Sequence, residues 1–403
     1  MAKSVAGLSL ALVLSACGSS ASAGRQPGAG TTASSAPPTT TTATGETGAI
    51  TYGIDVNQFD ADIGAKRVPQ VLQMIHAAGA RAVRIGGVWA TVESSPGRFD
   101  WSSVDRLFSL ARADDLTVLF ELGTEPAWDA PGGNTNAPPV DCNTPAASCT
   151  SVSEYVNALV THAAPEGLHY LVPRNEPQNF AKNWVGGTAG AYAHFEQVVY
   201  RAAHHADPSI RVLSGGTEQV SVALQAVQAK LQPPTPYEQE VTAFAASLYR
   251  DPAWCDSIDV LDIHVGDHGP IYSLQIVDDS EQALKACDGG RHLPVWVTEV
   301  GYPSVPVLQN SPVYQEELRG TYEGGESGQA RFLSDTFAAL AKDPNVIGID
   351  WTFMIDPNQT NTVPPGTTYN KAFSAGVGAG LAYSDYKTKA SYQAFQEASS
   401  GSP

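Results

Sequence analysis

The feature that most limits what this chain can fold into is an alternation. Eight short runs of β-forming residues lie at 50–56, 81–85, 117–122, 170–173, 211–214, 258–264, 295–298 and 346–353. Stretches with helical spacing lie at 68–78, 101–113, 189–205, 238–249, 280–287, 329–340 and 387–397. In the first of these, Val71, Leu72 and Ile75 share one face and Gly79 supplies a stop. Strand and helix in turn mean a parallel sheet covered by helices. A doubly wound open sheet alternates in the same way, but eight units in one body favour a closed (β/α)8 TIM barrel with long βα loops. Residues 131–145 and 303–312 read as two such loops. No glycine-rich phosphate cradle follows the first strand, which disfavours a nucleotide-binding fold.

The body starts near residue 49, and what precedes it reads as an address. Lys3 is followed by a short apolar segment at 5–14 and then by Leu14-Ser15-Ala16-Cys17, which resembles a bacterial lipobox. Such a signal implies removal of residues 1–16 and a diacylglycerol on the Cys17 thiol. The alternative is an ordinary signal peptide with an incidental cysteine. Residues 18–48 are a Ser/Thr/Ala/Gly/Pro tether with little apolar bulk, reaching on the order of 30 Å as a flexible coil. An exported, cell-surface lipoprotein on the outer face of the cytoplasmic membrane is expected. No run of roughly 18 apolar residues is present, so membrane contact would be through the lipid alone.

Four cysteines remain, Cys142, Cys149, Cys255 and Cys287, and an even number in an exported body suggests two disulfides. Three pairings are possible; Cys142–Cys149 with Cys255–Cys287 is favoured. The formal net charge is −18, and charged residues make up only 16% of the chain. Such a chain repels polyphosphate, so nucleic acid is not an expected partner. The acidity belongs to the body, because Lys3, Arg25 and Glu46 are the only charges before residue 49. It fits a neutral substrate better than an anionic one.

In a barrel the reacting groups stand at the C-terminal ends of the strands. Two carboxylates end apolar strands here, Glu176 after the fourth and Glu299 after the seventh. Those strands face each other across a barrel, so both side chains can share one cleft. A proton donor opposite a nucleophile or base is the requirement for glycoside hydrolysis. Opposed surroundings would keep one protonated and the other ionised. Asp55, Glu121 and Glu125 also lie near strand ends and could bind a sugar hydroxyl.

These motifs together resemble the clan A glycoside hydrolases, most nearly family 39, with families 5 and 42 as neighbours. Asn175-Glu176-Pro177 is similar to the clan's acid/base turn, and Thr298-Glu299-Val300-Gly301 to its nucleophile segment. Residues 89–93 and 96–101 resemble the segment after the second strand in families 39 and 42. Arg84 and Trp351 occupy the clan's second-strand arginine and eighth-strand tryptophan positions. The resemblance implies a retaining mechanism, with Glu176 as acid/base, Glu299 as nucleophile and Asn175 on the sugar 2-hydroxyl. Arg84 would hold Glu299 ionised. His264, Trp128, Trp351 and Tyr302 are further candidates to contact the sugar, Trp351 as a platform for its CH face. Trp89 is another, though loop aromatics such as Trp89 and Trp128 often cover a core.

The family often has His-x-Tyr at the end of the sixth strand, and this chain has His264-Val265-Gly266. Tyr302 is not an obvious replacement for the absent tyrosine. The departure bears on sugar specificity and motivates two alternatives: a non-catalytic carbohydrate-binding barrel, or an envelope transglycosylase. His264, Asp267 and His268 invite a metal reading, but no metal-ligand motif accompanies them. Ser214-Gly215-Gly216 lacks the form of a nucleophile elbow. No metal or cofactor is expected, and the reading is of a monomer acting on a carbohydrate.

Overall fold

A computed structural model describes residues 49–56, 64–86, 89–217, 236–266, 268–285, 287, 292–305, 321–322, 325–356 and 378–401. The signal segment, Cys17 and the tether lie outside the described residues, as do Asp267 and most of the loop at 303–312. The body, from Thr47 onward, forms one compact unit. No helix among the described residues is long and apolar enough to cross a membrane.

Eight strands build the barrel: β1 (Thr51–Asp55), β2 (Ala82–Ile85), β3 (Thr117–Glu121), β4 (Tyr170–Val172), β5 (Arg211–Val212), β6 (Leu261–Gly266), β7 (Val295–Val300) and β8 (Val346–Thr352). All neighbours are parallel, in the order β5-β4-β3-β2-β1-β8-β7-β6. A parallel bridge between Leu213 and Val260 joins the two ends of that row. At this seam Asp259 N–H donates to the Val212 carbonyl at 2.8 Å, and Asp262 N–H to Ser214 Oγ at 2.8 Å. The ring therefore closes, as a (β/α)8 barrel requires.

Each strand is followed by a helix: α1 (Gly64–Ala77), α2 (Ser102–Ala113), α3 (Thr150–Ala163), α4 (Ala189–Ala206), α5 (Pro236–Leu248), α6 (Pro270–Leu284), α7 (Glu326–Leu340) and α8 (Ala390–Ser399). Helix α3 is one that the spacing did not disclose. Its start depends on groups outside itself, since Asp141 Oδ2 accepts the Thr150 and Ser151 N–H groups at 2.7 and 3.2 Å. The Cys142–Cys149 disulfide closes the turn just before it. Helix α6 begins ten residues earlier than the pattern at 280–287 suggested, because Gly269 and Pro270 form a helix start and the apolar run behind them masks the period. The second disulfide is Cys255–Cys287, so both favoured pairings are present.

Alternation along the strands sorts the side chains. Ile54, Val83, Phe120, Leu171, Ile263, Val297 and Ile349 point outward into the large core shared with the helices. Ala82, Leu119, Val172, Leu213, Val260 and Trp296 point inward and plug the base of the barrel. The plug centres on Trp296, whose ring meets Tyr170 edge-on at 5.3 Å and whose indole N–H donates to Asp350 Oδ1 at 2.9 Å. The ring lies across Gly348, where any Cβ would overlap it. Gly348→Ala is therefore expected to cost about 1–3 kcal/mol of stability by overpacking, read as a lower urea midpoint. An unshifted midpoint would show that the indole has room to move.

Candidate active site

The inward positions above the plug are polar. At the top of β2, Arg84 is fully buried, and its guanidinium gathers groups from three other strands and from the turn after β4. Nη1 donates to Glu299 Oε1 at 3.0 Å and lies 3.5 Å from Asp55 Oδ2. Nη2 donates to Asn175 Oδ1 at 2.6 Å and to Glu121 Oε2 at 3.3 Å. The strand alternation explains this convergence, because Asp55, Arg84 and Glu121 are the last inward residues of β1, β2 and β3. His264 comes from β6, opposite Glu299 in the ladder. Its Nδ1 is 3.1 Å from Glu176 Oε1 and 3.5 Å from Glu299 Oε1.

Glu176 is presented by a constrained turn. Its φ of +41° is unusual for a residue with a side chain and costs on the order of 1–3 kcal/mol. The turn is held by its N–H, which donates to the Gly215 carbonyl at 2.9 Å. Arg174 braces it from behind through Glu125 Oε2, the Gly123 carbonyl and the Asn183 carbonyl, each at 2.7 Å. Gly215 and Gly216, both at positive φ, form the facing wall. A Cβ on Gly215 would strike the Arg174 carbonyl, and one on Gly216 would strike the His264 ring. Consecutive glycines at a strand end are the signal in the sequence that could have revealed this close approach. Asn179, also absent from the candidates read in the sequence, donates from Nδ2 to Glu176 Oε2 at 3.4 Å.

Four carboxylates, Asp55, Glu121, Glu176 and Glu299, thus meet two cations, Arg84 and His264. Burial works against the Arg84 charge, but Asp55, Glu121 and Glu299 outweigh it and raise its pKa further. Burial also opposes the His264 charge, and Glu299 and Glu176 overcome it, bringing its pKa up to about 9. Burial pushes the Glu176 carboxyl up, but the hydrogen bond and charge of His264, with Asn179 and Arg84, hold it below the ordinary range. Glu299 lies deeper, with 11% of its side chain exposed against 31% for Glu176. There burial prevails over His264 and Arg84, Asp55 adds repulsion, and the pKa rises to about 8. Arg84 favours the ionised form of Glu299, and burial opposes it. The bond is present, but Arg84 shares its charge among three carboxylates. Burial and the repulsion from Asp55 and Glu176 thus favour a proton on the carboxyl pair.

The aromatic candidates separate. Trp351 is fully buried, its ring edge-on to Phe332 and Phe337 of α7 and its indole N–H on the Ala379 carbonyl at 2.9 Å. It is a core residue facing the helices, which corrects the sugar-platform expectation; the inward neighbour is Asp350. Tyr302 is also buried, stacked on Phe332 at 4.6 Å. Trp89 stacks on Tyr155 at 4.8 Å within the core. Trp128 is half-buried and tied by its indole N–H to the Glu93 carbonyl at 2.8 Å. Glu176, His264 and Glu299 offer ligand atoms within 4.8 Å of one another, and so do Asp278, Glu281 and Asp343. In the first group each carboxylate oxygen facing the others already meets a cationic nitrogen.

Neither a family profile nor a curated protein sequence matches the chain. Solved structures do. A family 39 glycoside hydrolase from the gut symbiont Bacteroides cellulosilyticus aligns with a TM-score of 0.57 and 18% identity, over 87% of this chain and 63% of that one. A family 5, subfamily 18 glycoside hydrolase from Bifidobacterium longum, in complex with Manβ1-4GlcNAc, aligns at 0.59 and 16%, over 88% and 78%. A monomeric β-xylosidase from Caulobacter crescentus aligns at 0.56 and 16%, over 86% and 67%. The chain spans less than two thirds of the Bacteroides enzyme, and 59% of an exo-β-1,4-mannosidase from an Opitutaceae bacterium. At these identities the likeness is one of fold: the chain has the (β/α)8 fold that these glycoside hydrolases share.

The raised pKa of His264 makes its ion pairs a pH-dependent part of stability. Their contribution is fully present below about pH 6.5 and is lost as pH rises through about 9. The difference in unfolding free energy between wild type and His264→Gln is expected to be largest at pH 6 and to shrink toward pH 9.5. A difference that does not change with pH would contradict the ion-pair geometry.

Proposed function

We propose that the protein is a retaining glycoside hydrolase acting on a neutral, β-linked extracellular or cell-surface glycoside. The observation that carries this reading is the approach of Glu176 and Glu299 across the barrel mouth, within 4.8 Å at their nearest oxygens. Retaining enzymes hold their carboxyl groups about 5–5.5 Å apart, whereas inverting ones leave about 6.5–9.5 Å for a water. The fold shared with glycoside hydrolases supports the same class. Structural neighbours named for β-1,4-mannoside, Manβ1-4GlcNAc and β-xyloside support the β-linkage. An acid-lined cleft disfavours an anionic sugar at the point of cleavage.

The chemistry follows from the proton held by the pair. With that proton on Glu176, the acid is neutral and Glu299 is the ionised nucleophile. Glu299 then attacks the anomeric carbon while Glu176 protonates the departing oxygen, and the glycosidic C–O bond breaks. Glu176, now ionised, takes a proton from water, whose oxygen attacks the same carbon and releases Glu299. Arg84 stabilises the carboxylate that is regenerated, and Asn175, held by Arg84, is positioned for the sugar 2-hydroxyl.

The barrel is proposed to act outside the cell, held to the membrane by a lipid on Cys17. The lipobox-like segment supports the anchor, and two disulfides suit an oxidising compartment.

Glu176→Ala and Glu299→Ala are each expected to lower kcat on a 4-nitrophenyl β-glycoside by roughly 10²–10⁴-fold. A 2-deoxy-2-fluoro glycoside with an activated leaving group should label Glu299, read as a mass increase on its peptide. Wild-type rates in both variants would sink the assignment.

A further inference from the structure

The two oxygens of Glu176 look in different directions. Oε1 meets His264 Nδ1, the same nitrogen that reaches Glu299, so this oxygen faces the nucleophile. Oε2 accepts from Asn179 Nδ2 at 3.4 Å. Asn179 Oδ1 in turn accepts from the Tyr237 hydroxyl at 2.5 Å. Tyr237 opens α5 and is 40% exposed, one of three large hydrophobic residues so exposed among the described residues. The other two, Val140 and Ile271, carry no aromatic ring.

The Tyr237 ring is braced on one side. It leans on Phe180, with centroids 5.4 Å apart and planes inclined at 50°, and Phe180 stacks on Phe244 of α5 at 6.3 Å. An aromatic side chain held rigid from behind, and left bare beside a carboxyl group, is a surface waiting for an apolar face. Sugars supply such a face with their axial C–H groups, and the Asn179 amide and Tyr237 hydroxyl at its rim suit sugar hydroxyls.

We propose that Tyr237 forms the subsite for the leaving group, which is therefore a sugar ring rather than a small alcohol. The inference rests on the glycosidase reading and deepens it. The glycone lies between Glu176 and Glu299. The departing oxygen takes its proton from Glu176, so the leaving group exits on the side of Glu176 away from Glu299. That side is the one Oε2 faces, where Asn179 and Tyr237 stand. The substrate class is then a di- or oligosaccharide, cleaved with a sugar stacked on Tyr237.

Wild type, Tyr237→Ala and Tyr237→Phe are compared on two substrates with the same glycone. One is the glycosyl fluoride, whose leaving group is a single atom, and the other is the β-1,4-linked disaccharide. The glycone is the fastest among mannosyl, glucosyl, xylosyl and galactosyl fluorides with the wild-type protein. The ratio of kcat/KM for disaccharide over fluoride is expected to fall roughly 10-fold in Tyr237→Ala and to stay within about threefold of wild type in Tyr237→Phe, which keeps the ring. Turnover of the fluoride shows that each variant is folded. A ratio unchanged in Tyr237→Ala overturns the subsite, and so does an equal fall in both variants, which would assign the effect to the hydroxyl alone. A wild-type protein inert toward all four fluorides and their disaccharides overturns the glycosidase reading itself, and the subsite with it.

Discussion

A single guanidinium organises the upper half of this barrel. Arg84 is sealed from solvent and meets Asp55, Glu121, Glu299 and Asn175, drawn from β1, β3, β7 and the end of β4. A buried cation without anions is very costly, and so are buried carboxylates without a cation. Each side of the cluster is thus the condition for the other. Removing one partner of such a buried pair typically costs about 3–5 kcal/mol, because it strands a charge. The residues proposed for catalysis are held by the same contacts that let a polar layer exist inside the barrel.

Polarity rises along the barrel axis. The base is filled by Trp296 and its apolar neighbours. Above it lie Asp350, hydrogen-bonded to the Trp296 indole, and Asp262, which accepts from the Thr298 hydroxyl. The Arg84 layer follows, then Glu176 at the mouth, and Tyr237 beside it in the open. This gradient sets the electrostatics of the carboxyl pair. Glu299, nearer the dry end and close to Asp55, tends to keep a proton, whereas Glu176, nearer water and bonded to His264 and Asn179, gives its proton up.

Much of this was legible in the sequence because period and position carry it. Eight apolar runs with helical spacing between them sufficed for the barrel, and acids at the ends of the fourth and seventh runs marked Glu176 and Glu299. Sequence patterns are weaker on facing. Trp351 and Asp350 are adjacent, and the pairing of Ile54 with Trp351 and Gly53 with Asp350 decides which of them enters the barrel. A shift of one residue would have made Trp351 a platform. Helix α3 escaped notice because its cap, Asp141, lies nine residues before Thr150. The raised pKa of Glu299 could not be read from neighbours in sequence, since it depends on how Arg84 divides its charge among residues 37 and 215 positions away. Tyr237 opens a helix 61 positions beyond Glu176, and only the Asn179 bridge connects the two.

The close approach of Glu176 and Glu299 is most directly tested by the stereochemistry of the first product. Proton NMR of the anomeric signal during hydrolysis of a β-disaccharide distinguishes the two courses before mutarotation blurs them. Double displacement through Glu299 requires that the β-anomer of the released glycone appear first. Initial appearance of the α-anomer would mean that water attacks directly, and would contradict the role given to Glu299.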